Sequence, residues 1–400
     1  MASSASVSLS ARTETEYFSL LINYAVEHQF AVALWRLPND SRTHLIISHE
    51  PQSLPHNKPL EDIPSGFIVA PFETVSDRLF LKADYSFTFS SGQLNQPITP
   101  LEIASNVWLT GLLGKESTVV KRPLTYSNSK DTLPSTSRDF FLRLVSNAIH
   151  EIEMSSFEKV VLSRTEEITL PEDFDISLAF EKLSGLYTNA LISFVSIPAY
   201  GSWLGASPEL LISVDGKHTF KTTALAGTQP YNDGINLKSV AWTQKDIEEQ
   251  ALVERYIISC FKKIRLREYE EHGPRTVVAG NLMHLKSDFT VDMQATNFPQ
   301  LGSVMLQLLH PTSAVCGVPL DTSLEFIRRH EGYDRQFYSG YIGPVNFQDR
   351  IDIFVNLRCL QMWPGKAVLY AGAGITQDSI RENEWEETEL KLNTLLKIVR

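Results

Sequence analysis

The sequence predicts an α+β fold in which mainly antiparallel sheets are interspersed with helices. Short β-rich runs joined by tight turns alternate with apolar residues recurring at helical spacing. Asp215-Gly216 is the strongest hairpin signal, and Trp363-Pro364-Gly365-Lys366 forms a second turn inside a strand-rich stretch. No fixed-period repeat runs through the sequence.

From Glu16 the chain reads as a helix, followed by strands over 30–37, 45–48, 66–72 and 79–89 with a turn at Pro38-Asn39-Asp40-Ser41. Residues 91–136 are polar and turn-rich, so the main organisational boundary falls there. The expected division is a disordered start over 1–14, an N-terminal part of the fold with its connector over 15–135, and a second region over 136–400. In that region Phe141, Leu144, Val145, Ala148, Ile149 and Ile152 recur at helical spacing behind the candidate caps Ser135, Thr136 and Ser137. Strands follow over 160–170, 190–197 and 209–214, and 218–226 returns after the hairpin turn. A long helix over 245–264, a strand near Val277, two shorter helices and a strand-rich run over 336–373 lead to a last helix after Ser379.

The chain has 400 residues, with 36 Lys and Arg against 47 Asp and Glu, a net charge of −11. That balance opposes nonspecific attraction to phosphate backbones and anionic lipid heads. Cys260, Cys316 and Cys359 are far apart and form no CxxC pair, which suggests neither a zinc cage nor a disulfide framework. Without a signal-peptide core in its first residues or a run long enough to span a membrane, the expectation is a cytoplasmic protein. No nucleic acid, membrane or obligate protein partner is expected.

Several constellations can carry chemistry. On the last helix Glu384, Glu387 and Lys391 share one face, beside an apolar stripe of Trp385, Thr388, Leu392, Leu395 and Val399. Acids in a first turn also favour the helix dipole, and Glu-to-Lys pairs are common on solvated faces. On the helix begun by Thr243, a T-x-x-D box places Asp246 and Glu249 one turn apart. Two helices each offering acids suit a hard dication such as magnesium, which prefers oxygen ligands. Gly372 and Gly374 in AGAGI let backbone approach a ligand or simply turn tightly. Lys159 in KVVLSR and Glu209, which follows an expected Gly205-Ala206-Ser207-Pro208 turn, gain base or acid character if buried. Arg358 in NLRCL, among apolar strand residues, needs an anionic partner. His310 and Cys316 in LLHPTSAVCG read on their own as helix-end and packing residues.

In order, KVVLSR, GASPELL, LAGT, KDIEEQALV, HPTSAVCGVP, FYSG, LRC, GAGI and EWEETELKL resemble the chorismate-utilising enzymes over residues 136–400. The resemblance implies a large α+β fold whose sheets and helices enclose a deep magnesium-dependent site. By matching motif, Glu249 and Glu387 become metal ligands with Asp246 and Glu384 orienting the metal's waters, and the small-molecule substrate is chorismate. Arg358, Tyr338, Lys391, Gly372 and Gly374 then position its carboxylates, Gly227 and Thr228 line the ring, and His310 and Ala314 join the substrate-contacting set.

Within that family, amine-installing members carry glutamine where this chain has Lys159. The lysine matches water-activating members. Ala314 stands where amine-installing and salicylate-forming relatives tend to carry threonine. The resemblance therefore implies conversion of chorismate to isochorismate, with Lys159 as base and Glu209 as acid. The alternatives are salicylate formation at the same site, another reaction of the family, or noncatalytic chorismate binding. Two positions depart from the family pattern: Gln250 follows Glu249 where histidine is common, and no arginine follows LAGT.

Overall fold

The computed structural model describes residues 13–90, 93–95, 134–231, 236–279 and 282–399. Most of the expected disordered start and of the connector lies outside the described residues.

The chain enters through α1 (Glu14–Glu27), capped by a Thr13–Glu16 box. It continues through β1 (Ala31–Arg36), β2 (Arg42–Ser48), β3 (Gln52–Leu54), β4 (Gly66–Ala70), β5 (Arg78–Lys82), β6 (Tyr85–Ser90) and β7 (Gln93–Asn95). After the connector come α2 (Arg138–Glu153), β8 (Lys159–Thr169), α3 (Ile176–Leu186), β9 (Leu191–Ile197), β10 (Gly201–Ser207), β11 (Leu210–Val214) and β12 (Thr219–Pro230). The remainder is α4 (Gln244–Lys263), β13 (Glu270–Ala279), β14 (Leu282–Asp292), α5 (Leu301–Leu309), β15 (Gly317–Val318), α6 (Leu320–His330), β16 (Tyr341–Val345), β17 (Ile351–Val355), β18 (Cys359–Trp363), β19 (Lys366–Ile375) and α7 (Arg381–Val399).

These strands form two antiparallel sheets, as the tight turns imply. The first has ten strands in the order β15-β8-β19-β18-β10-β9-β1-β2-β6-β7. The second has nine, ordered β13-β14-β12-β11-β17-β16-β4-β5-β3. Strands from both sides of the connector therefore contribute to each sheet. A core of Trp35, Phe67, Val69, Trp203, Phe354 and Tyr370 fills the space between the sheets. The outer face of the first packs on α1, α3 and α7 through Phe18, Phe180, Leu392 and Leu395. The other core joins the second sheet to α2, α4, α5 and α6, through residues such as Phe141, Val253, Ile257, Met305 and Phe326. Each such apolar side chain contributes about 1.5–3 kcal/mol on burial. Among the described residues, no helix is long and apolar enough to cross a membrane.

Three local expectations change. The run over 79–89 is two strands, because at Ala83-Asp84 the chain leaves the second sheet for the first. The Ala83 amide bonds back to Ser65 and the Asp84 amide to Ile47, one contact in each sheet's territory. Residues Gly205, Ala206 and Ser207 are not a turn but the end of β10. Helix α3 was not expected, although Asp175 caps it by accepting from the amides of Ser177 and Leu178.

Candidate active site

Two chain crossovers build one wall of a cavity between the sheets. Pro208-Glu209 carries the chain from β10 to β11, and Asn356-Leu357-Arg358 carries it from β17 back to β18. Ser207 Oγ accepts from the Leu357 amide and donates to the Leu357 carbonyl, each at 3.2 Å, which locks the crossovers together. Arg358 has φ 45°, a left-handed backbone that the surrounding strands must hold in place.

The opposite wall is β8 against β19, with Val161 paired to Gly374 and Ser163 to Gly372. Val161 lines the cavity, and the two-residue period puts Lys159 on the same side of β8. Helices α4 and α7 close the site, bringing Glu249, Glu387 and Lys391 to it. The spacing along α7 explains this: its apolar stripe anchors the helix while the adjoining charged face meets the cavity.

Lys159 is fully buried, and its Nζ lies 2.8 Å from Glu249 Oε1. Among the described residues it finds no further hydrogen-bond partner. Burial alone pushes the Glu249 carboxyl up, but the ammonium groups of Lys159 and Lys245 overcome it and hold Glu249 at about 2. A Cβ on Gly374 would overlap Glu249 Oε1 and come within 3.0 Å of Lys159 Cε, so this glycine makes room for the pair. Glu209 is 4% exposed. Burial pushes its carboxyl up to about 8, a rise only partly offset by the charges of Lys159 and Lys391.

Arg358 is buried, and among the described residues its side-chain hydrogen bonds run to neutral groups alone, Thr394 Oγ1 and His284 Nε2, both at 3.4 Å. Burial draws the guanidinium downward while the charge of Glu387 opposes that. Like Lys245 beside the acidic cluster, His284 is a site residue that sequence reasoning missed. Its Nδ1 lies 2.7 Å from the Gly227 carbonyl, so Nδ1 carries the hydrogen and Nε2 is left to accept from Arg358. Burial, reinforced by the Arg358 charge, pulls the imidazole down to about 3 and keeps it neutral. Only its position in NLMHL, an otherwise apolar strand start, marked it in the sequence.

Gly227, Thr228, Ala314, Tyr338, Gly372, Gly374 and Lys391 also line the cavity. Gly227 adopts φ 65°, which suits glycine. Tyr338 stacks on Tyr370 with ring centroids 5.2 Å apart. Lys391 Nζ lies 2.6 Å from Glu387 Oε1 and donates to the Gly372 carbonyl at 2.7 Å.

Other expected residues lie elsewhere. His310 is not in the cavity lining: its Nε2 meets the Pro71 carbonyl at 3.1 Å and its ring packs edge-on against Tyr341. The apolar surroundings of α5 hold it as a core histidine, its imidazole pulled down to about 3 by burial and the neighbouring His56. Cys316 is buried packing, its thiol pushed up to about 12 by burial. Asp246 caps α4, accepting from the Thr243 amide and hydroxyl. Glu384 sits behind the lining, 1% exposed, with Oε1 2.5 Å from Lys245 Nζ.

Among the described residues, no three His, Cys, Asp or Glu side chains are gathered closely enough to form a ready metal cage. The donor chemistry nevertheless suits a hard dication. Glu249, Glu384 and Glu387 all act on the Lys245 ammonium, and among the described residues Glu384 Oε2 is buried without a close hydrogen bond. Acceptor capacity thus exceeds what the lysines satisfy. A larger cleft of about 760 Å³ lies beyond Pro208 and Leu225, which it shares with the cavity. On its rim Arg42 pairs with Asp40 at 2.8 Å and Arg350 with Asp352 at 2.9 Å.

A model of the family described as chorismate binding enzyme matches residues 93–400. The vibriobactin-specific isochorismate synthase of Vibrio cholerae is 26% identical over 341 residues, covering 84% of this chain and 79% of that protein. The isochorismate synthase EntC of Escherichia coli K12 is 28% identical over 263 residues, 64% of this chain and 66% of that one. Among solved structures, the menaquinone-specific isochorismate synthase MenF of Escherichia coli superposes with a TM-score of 0.71 at 19% identity, over 95% of this chain and 91% of that chain.

Proposed function

The chain belongs to the chorismate-binding enzyme family, and on that premise we propose that it is an isochorismate synthase. Several relatives bearing that name support the assignment. The observation that carries the chemistry is the pairing of a buried lysine that has spare donors with a buried carboxyl pushed up to about 8, beside one cavity.

In this reading Lys159 acts as the general base toward a water that adds to the chorismate ring. Glu209, kept protonated by burial at neutral pH, gives its proton to the hydroxyl that leaves another ring carbon. One water enters and one departs, so the product is the isomer isochorismate. Arg358, aimed by His284, binds a substrate carboxylate, and Lys391 with the Gly372 and Gly374 backbone holds the other end. Gly227, Thr228 and Tyr338 border the ring, and Ala314 leaves that wall free of a hydroxyl.

Glu249 and Glu387 would hold magnesium, with Asp246 and Glu384 behind them. When bound, the ion supplies positive charge that clamps the ring carboxylate. The buried, unpaired cysteines fit a reducing, cytoplasmic setting.

Incubation of the full chain with chorismate and magnesium, followed by separation of products, tests the assignment. Isochorismate is the expected product. Salicylate formed without a partner lyase, anthranilate formed with ammonia, or binding without turnover would each overturn it.

A further inference from the structure

Lys245 stands one helical turn before Glu249 on α4, so the two share a face. Its ammonium crosses to α7 and lies 2.5 Å from Glu384 Oε1. Glu387 and Glu249 act electrostatically on the same ammonium. Acids of both helices therefore surround this ammonium: Glu384 touches it, while Glu249 and Glu387 act from a distance and make their own close contacts to Lys159 and Lys391. The contact is shielded on the acid side, where Glu384 is 1% exposed, and partly open on the lysine side, at 22%. Among the described residues Glu384 Oε2 is buried and makes no close hydrogen bond, although the Ser379 hydroxyl acts on the same carboxylate.

We propose that Lys245 is a resident counter-cation that holds the acidic cluster together in the metal-free protein and is displaced when a divalent cation binds. The inference rests on the assignment of Glu249 and Glu387 as metal ligands. Neighbouring carboxylates taken out of water cannot stand bare, because burial and mutual repulsion both oppose their charges. A lysine answers that cost with a compact charge on a flexible stem, and its partial exposure leaves a route for the stem to swing out to solvent. An arginine would fit less well, since its planar fork would grip the acids in a fixed geometry. Exchange of one positive charge for two then favours the dication only when its gain exceeds the lost Lys245 contact. Lys245 thus sets the threshold concentration at which metal enters.

The test uses the full chain without chorismate and Mn2+ as the probe, its binding followed by calorimetry or by its electron spin resonance signal. Removing the competitor in Lys245→Met should tighten Mn2+ binding by about tenfold or more. The same variant should melt lower than wild type in chelator and recover when Mg2+ is added. Equal or weaker Mn2+ affinity in Lys245→Met overturns the inference. A second measurement needs no variant: acetic anhydride labelling of Lys245, read by peptide mass, should rise when Mg2+ is added to wild type. Labelling that does not change with Mg2+ also overturns it. If Mn2+ binds neither wild type nor Lys245→Met, or binds Glu387→Gln as tightly as wild type, the ligand assignment itself fails. That outcome is separable from equal affinities in the two lysine forms.

Discussion

Glu209 and Arg358 ride on paired crossovers between the two sheets. The Val355 amide donates to the Glu209 carbonyl, and the Ala206 amide donates to the Arg358 carbonyl, each at 3.0 Å. Each crossover fixes the other, so the proposed acid and the carboxylate-binding guanidinium share one rigid seat. Arg358→Lys keeps a charge but loses the fork that His284 and Thr394 orient. The expected result is a KM for chorismate raised by roughly 10–100-fold with a smaller change in kcat. Steady-state kinetics check this, and an unchanged KM would remove Arg358 from the binding site.

Glu209→Gln should lower kcat by about 10²–10⁴ while leaving the circular dichroism spectrum intact. In wild type the acid must keep its proton, so the rate should fall as pH rises past about 8, a limb the variant lacks. Stability carries the same signature. The folded carboxyl keeps its proton up to about 8, whereas the unfolded one ionises at the ordinary glutamate value. The unfolded state therefore binds fewer protons across that window, and wild type loses stability relative to Glu209→Gln as pH rises through it. Urea midpoints for both proteins at pH 5 and pH 8, without metal, read this out. A gap of the same size at both pH values would mean that Glu209 is already ionised in the fold.

Lys159→Met should abolish turnover while retaining the fold. Removing one member of a buried pair costs about 3–5 kcal/mol when the other is left alone. Here Lys245 still acts on Glu249, so the loss should fall below that range. Denaturant titration together with kcat measures both effects. Wild-type turnover in the variant would show that another group is the base.

Gly374→Ala tests the same pair from the neighbouring strand. Its methyl would overlap Glu249 Oε1 and crowd Lys159. The added atom should cost most of the activity, with kcat reduced more than KM is raised, although the β8–β19 ladder stays formed. If kcat is unaffected, the carboxylate has room to retreat and the glycine is not required for chemistry.

Glu387→Gln should remove the magnesium dependence of chorismate binding. Binding isotherms with and without Mg2+ decide the point, and an unaltered dependence would count against Glu387 as a ligand.

Much of this architecture was legible in the sequence because it depends on local patterns. The T-x-x-D box of Thr243 and Asp246 and the Trp363–Lys366 turn are encoded within a few residues. So is the charged face of α7. Helix α3 was equally legible: Ile176, Ala179, Phe180 and Leu183 follow helical spacing after the Asp175 cap, but its apolar run sits between β-rich flanks that mask the period. Other features are relations between distant segments. The switch of sheet at Ala83-Asp84 depends on partners at Ser65 and Ile47. His284 matters because Gly227 fixes its tautomer and Arg358 lies on its other side. His310 sits in a motif shared with Ala314, yet the chain turns between them, so only Ala314 reaches the cavity.

The pairing of β8 with β19 also bears on how the protein comes to exist. Val161 waits for Gly374 across more than half of the chain, while the strand order sets β8 between β15 and β19, both made later. During synthesis the edge that carries Lys159 stays unpaired until those strands leave the ribosome, and such non-local closure slows folding and exposes a sticky edge. The wall that carries Lys159 is thus among the last parts to form. A slow translation step or a chaperone acting before β19 emerges should govern yield of active protein more strongly than it governs formation of α1, β1 and β2.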